Sequence, residues 1–198
     1  MTVEATLGGD DATTRALSID SKGALNATWS EGDKVTVYKV NENTFTEYGT
    51  LTATNVSADG LSCTLRGKLT VEATTAPAEG DELMLQFNNS GYASQKGMLE
   101  YIATHCDIAK ATVTVASVDY WGVTDNVITT TGAADFVNQQ AIVKFTLKKP
   151  DGKTFAAHYL TVKYGSLTYK VTPDAAASDI YVAIPGGGDP DPDDPNSD

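Results

Sequence analysis

Two cysteines and two histidines are the residues best suited to chemistry in this chain, and their positions limit what that chemistry could be. Cys106, His158 and an acidic neighbour such as Asp107 would supply the nucleophile, base and orienting group of a thiol triad. Cys106, however, falls on the apolar stripe of a helical pattern, where a small buried hydrophobe is the simpler role. No nucleophile turn or oxyanion hole is legible beside it. Cys63, His105, Cys106 and His158 are zinc-ligand types without the paired spacing of a zinc knuckle, and the adjacent His105 and Cys106 aim poorly at one ion. Cys63 and Cys106 are expected as buried free thiols in two core elements, with a disulfide as the alternative in an exported protein. No catalytic residue, cofactor or metal is expected, and the chain reads as a non-enzyme.

Two further features invite a functional reading. The run Gly186–Asp198 carries five aspartates and no basic residue, but its alternating prolines forbid the turn of a calcium loop, so it is expected as an acidic Gly/Pro/Asp linker. Asp119-Tyr120-Trp121-Gly122 follows a strand candidate. Tyr120 and Trp121 are there either a platform for a sugar ring or partner protein, or an apolar plug closing one end of a sandwich.

The elements that would position these residues are short and mostly extended. In Trp29-Ser30-Glu31-Gly32-Asp33, Gly32 accepts a positive φ and Asp33 can bond nearby backbone N–H groups. The alternating run Lys34–Val40 then places Val35 and Val37 on one strand face. Further strand candidates are Ala16–Ile19, Thr46–Ala53, Leu61–Leu69, Glu82–Phe87, Thr112–Val118, Val127–Thr131, Gln140–Leu147, Tyr159–Tyr164, Leu167–Val171 and Ile180–Ile184. Ala141, Val143, Phe145 and Leu147 share one face and Lys144, Thr146 and Lys148 the other. Gly165-Ser166 fits a two-residue hairpin loop. Over Gly97–Asp107 the spacing of Leu99, Ile102, Ala103 and Cys106 predicts one short helix. Many short strands and one helix imply an all-β antiparallel sandwich or barrel.

Length and charge bound the rest. The 198 residues suit one ordinary domain, expected over residues 15–185, with residues 1–14 as a flexible leader and 186–198 as the linker or tail. Formal net charge is −12, and removing the five tail aspartates leaves −7, with the basic residues scattered, which argues against a nucleic-acid partner. No apolar run approaches the roughly 18 residues needed to span a bilayer, and Met1-Thr2-Val3-Glu4 does not open a signal peptide.

Taken in order, Trp29–Asp33, Gly91-Tyr92-Ala93-Ser94-Gln95-Lys96-Gly97-Met98-Leu99 leading to Asp107, Phe136–Leu147, and Tyr181-Val182-Ala183-Ile184-Pro185 resemble the landmarks of Bacteroidetes fimbrillin-like proteins. The resemblance spans about residues 14 to 185. It implies a transthyretin-like or Ig-like β-sandwich made as an exported lipoprotein precursor and displayed at the cell surface in association with the outer membrane. The implied role is a type V pilus shaft or tip subunit, or a surface adhesin. Its partners would be other pilus or surface subunits, and host or glycan ligands.

Thr13-Thr14-Arg15-Ala16 resembles that family's processing region, where an Arg-directed protease removes the first strand and another subunit's extended strand fills the groove. By this resemblance cleavage would follow Arg15, before Ala16; an ordinary surface arginine is the alternative. The chain departs from the family in passing from Ile184-Pro185 into an acidic linker where a second sandwich usually follows. A carbohydrate-binding module of a surface glycan system, using Tyr120 and Trp121, is the alternative function.

Overall fold

The computed structural model describes residues 1–7, 16–19, 25–41, 44–72, 75–88, 91–121 and 125–186. In chain order the elements begin with β1 (Thr2–Leu7), β2 (Ala16–Ile19), β3 (Leu25–Thr28), β4 (Lys34–Asn41), β5 (Thr44–Thr54), β6 (Ser62–Arg66) and β7 (Glu82–Phe87). Next come β8 (Ser94–Gln95), α1 (Leu99–His105), β9 (Ala109–Trp121), β10 (Asp125–Thr130) and β11 (Ala134–Asn138). The series ends with β12 (Gln140–Thr146), β13 (Leu160–Tyr164), β14 (Leu167–Val171) and β15 (Asp179–Pro185). The fold is all-β with one short helix, its largely antiparallel sheets curled in a sandwich-like way, as the strand pattern predicts. Two compact units emerge, Met1–Asn88 with Ala109–Val137, and Asn89–Ile108 with Asn138–Asp198, so the expected domain 15–185 contributes to both.

The first unit is a curled sheet in the order β10-β9-β11-β1-β6-β5-β4-β7, and β7 pairs with β9, which closes the sheet on itself. Period-2 alternation explains its core. Leu51, Val35 and Phe87 lie side by side on β5, β4 and β7, and Val37, Leu85 and Ala111 on β4, β7 and β9, so the apolar residues of neighbouring strands meet on one face. Val35, Val37, Leu51, Leu83 and Leu85 are fully buried, each contributing about 1.5–3 kcal/mol by removal from water.

Trp29 anchors the entry to β4 as its sequence position suggests. It is buried, with edge-to-face contacts to Phe136 at 5.2 Å and Phe87 at 6.2 Å. After it the Ser30 N–H donates to Asp33 Oδ2 at 2.8 Å, Gly32 sits at φ +90°, and the Gly32 N–H donates to the Ala53 carbonyl.

The N-terminal expectation is corrected. Within the expected leader 1–14, Thr2–Leu7 form β1, because Val3 reaches the core and both edges of the strand find backbone partners. Residues 8–14 lie outside the described residues.

The second unit is thinner. Antiparallel β12 and β15 form one sheet, and β13, β14 and β8 another in that order. Val171, Ile180 and Val182 form a buried centre, with Phe145, Leu147, Leu160 and Val162 packed on it half-buried. Gln95 ties the unit together. Its buried side-chain amide donates to the Tyr92 and Ala183 carbonyls and accepts from the Ala183 N–H, so it stands in for a neighbouring strand along β15. The Tyr181 N–H donates to the Gly97 carbonyl on the same side. Helix α1 is shorter than the Gly97–Asp107 expectation, with Ile102 buried and Cys106 at its C-cap. Gly186 still donates to the Gln139 carbonyl; the rest of the expected linker lies outside the described residues.

Candidate functional site

The thiol reading meets an unreactive environment. Cys106 is buried, its Sγ lies 3.8 Å from the Gly91 carbonyl, and desolvation, followed by the nearby Asp107 charge, pushes its thiol up to about 11. A thiol that holds its proton at neutral pH is a poor nucleophile. Asp107, also buried, accepts a 2.6 Å hydrogen bond from Gln140 Nε2, whose Oε1 in turn accepts from the Ile108 N–H. The carboxylate thereby joins α1 to the start of β12. His105 is exposed and stacked on Tyr101, with ring centroids 4.1 Å apart, and His158 is exposed. Among the described residues no group of three or more His, Cys, Asp or Glu side chains converges as a metal site. Cys63 and Cys106 are both buried, and neither forms a disulfide.

The aromatic pair sits differently from expectation. Tyr120 and Trp121 do not follow the strand. They are its last residues, paired by backbone with Asn126 and Asp125 across the β9–β10 hairpin. Their side chains, and Gly122, lie outside what is described. Arg15 is outside the described residues as well, while Ala16 opens β2 opposite Thr28.

The feature with the clearest functional geometry is β1, the strand that sequence reading passed over. It lies between two strands distant in sequence, antiparallel to β6 with Val3 opposite Leu65 and Ala5 opposite Cys63, and parallel to β11 with Ala5 opposite Ala134 and Leu7 opposite Phe136. Val3 is 1% exposed. At the strand's start the Met1 ammonium donates to the Gly67 carbonyl at 2.9 Å and the Gly67 N–H donates back to the Met1 carbonyl. Desolvation lowers the pKa of that ammonium. Gly67 is required there, since a Cβ would fall 2.3 Å from the Thr50 carbonyl oxygen.

β1 is joined to β6 and β11 by main-chain pairing along both of its edges. Its departure would open a slot with free backbone groups on β6 and β11. The signal for it was present in the alternation of Val3, Ala5 and Leu7 before Gly8-Gly9-Asp10-Asp11, a short pattern that local periodicity alone could not elevate to a strand. Comparison with protein-family models, with curated proteins and with solved structures finds no match to this chain.

Proposed function

We propose that this chain is a non-enzymatic structural or adhesive module of the cell surface that assembles by strand addition, as in a type V pilus subunit or fimbrillin-like adhesin. The observation carrying this reading is the seat of β1: a strand preceding Arg15, held between β6 and β11, with a side chain in the core. Cleavage after Arg15 would sever this strand from the rest of the chain and let it go. Another subunit's extended segment could then supply the same main-chain hydrogen bonds and fill the Val3 position with an apolar side chain. Neighbouring subunits are the partners on this reading, and the surface exposure of the assembly follows from it.

Limited proteolysis tests the idea. The chain contains two arginines, Arg15 and Arg66, and Arg66 is held in β6 between Thr2 of β1 and Thr52 of β5. An Arg-specific protease acting on the folded protein is expected to cut after Arg15 and spare Arg66. The trimmed chain should then bind a synthetic peptide of residues 1–7 one to one, by native mass spectrometry, or form higher assemblies. Resistance at Arg15, or a trimmed chain that neither takes up the peptide nor changes its assembly, would overturn the reading.

A further inference from the structure

The second unit carries an open edge that strand exchange at β1 does not use. Hydrogen bonds from the Gly186 N–H to the Gln139 carbonyl and from the Leu147 N–H to the Ser178 carbonyl bracket the β12–β15 ladder, and the register between them pairs Ala141 with Ile184, Val143 with Val182 and Phe145 with Ile180. These odd-numbered residues of β12 therefore turn their backbone groups toward β15. Ile142, Lys144 and Thr146 turn theirs away. Beyond Thr146 the chain turns into a hairpin in which Lys149 donates to Lys153 and Phe155 to Leu147; on the outward side of β12, Ile142, Lys144 and Thr146 have no backbone partner among the described residues.

The apolar face beside this edge is unfinished. Ile180 and Val182 on β15 are fully buried, whereas Val143, one strand nearer the edge on the same face, is 36% exposed. Such an edge is a template for an additional strand unless charge blunts it. Here the charge is selective. Lys144 projects from β12, bonded to Asp179 at 2.9 Å, and Lys148 and Lys149 lie just past the end of the strand. Two copies pairing edge to edge would bring their Lys144 side chains onto one face of neighbouring strands, which is unfavourable. An acidic strand would meet complementary charge.

We propose that the free edge of β12 is a docking edge for an extended peptide segment of another protein, with apolar residues on the Val143 side alternating with acidic residues on the Lys144 side. The added strand would take hydrogen bonds with Ile142, Lys144 and Thr146, cover Val143, and place a carboxylate beside Lys144. This inference is independent of cleavage at Arg15, because it concerns the second unit and leaves β1 in place.

Amide hydrogen exchange on the full chain tests it, with a blocked synthetic peptide of alternating valine and glutamate as the probe. In the free chain the Ile142 and Lys144 amides should exchange rapidly, and millimolar probe should slow them by about tenfold or more. Lys144→Pro removes one outward N–H without touching the β15 ladder and should abolish the protection. Should that variant fold poorly, a probe with alternate amides methylated keeps the protein unchanged and should fail to protect. An alternating valine–lysine peptide should protect several-fold less. Amides already protected in the free chain, or equal protection of Lys144→Pro, would overturn the proposal. So would protection that rises with protein concentration alone, which would assign the edge to a second copy, or protection confined to β6 and β11, which would assign the probe to the β1 slot.

Discussion

Two strands, β1 in the first unit and β12 in the second, have their edges treated in opposite ways. In the first, β7 pairs with β9 and the sheet closes, so β1 has a neighbour on each side and Val3 is buried. In the second, among the described residues β12 and β13 each pair with one strand, and Val143 and Tyr164, 36% and 40% exposed, stay half open to solvent. Charge divides along the same line. The first unit carries seven basic and sixteen acidic residues; the second, up to Pro185, carries seven basic and five acidic. The seat of β1 in an acidic unit and the edge of β12 in a slightly basic one make different demands on any partner. At β1 a strand could be accepted only by losing β1 itself, whereas the proposed addition at β12 would displace nothing.

The sharpest way to break this contrast is to place a charge at equivalent points. Val3→Asp should destabilise the first unit by about 3 kcal/mol or more, because a carboxylate would be buried in an apolar core, whereas Val143→Asp should cost within about 1 kcal/mol at an open edge. Trp29 and Trp121 both belong to the first unit, so urea unfolding followed by tryptophan fluorescence should report the first change and barely register the second. Equal effects would mean that the units share one cooperative core.

Gln95→Leu should act in the reverse sense. It strips the Ala183 N–H and carbonyl of their buried partner and should cost about 2–4 kcal/mol, seen as lost amide protection at Ala183 with the tryptophan transition unmoved. Gly67→Ala should cost about 1–3 kcal/mol through the close approach to Thr50, and the damage should appear beside β1 and β6. Little or no loss would show that the β1 seat is pliable.

The smallest expected effect is electrostatic. Asp81 lies 2.8 Å from Lys39, and that bond, with a second from the Ala78 N–H, holds its carboxyl below the usual carboxylate value. A depressed folded pKa adds stability that is fully present above the unfolded value, near 4, and fades as pH falls through the lower folded value. Asp81→Asn should flatten the acid limb of first-unit stability by about 0.5–1 kcal/mol and leave the neutral-pH shape unchanged.

Most strands were legible where alternation was long and local. Lys34–Val40 and Gln140–Leu147 announced β4 and β12, and the spacing of Leu99, Ile102 and Cys106 announced α1. The elements that escaped are those whose stability comes from afar. β1 offers only a short alternation, and its partners, β6 and β11, lie roughly sixty and a hundred and thirty residues along the chain. β11 hides in the same way, its buried Ala134 and Phe136 alternating with Asp135 and the exposed Val137. Non-local pairing leaves little local trace. The candidate site was thus missed at the strand itself; the proposed cleavage point, Arg15, lies outside the described residues. The face assignment of Val143 was legible, but its openness depended on how many strands its sheet would have.

Gln95 gives the second unit's sheet a direction. A side-chain amide can satisfy one residue of a ladder but cannot itself be extended, so on that side β15 ends in a terminator. Growth is left to β12. A sheet with one sealed end and one receptive end has a polarity, and successive additions to it could proceed only one way.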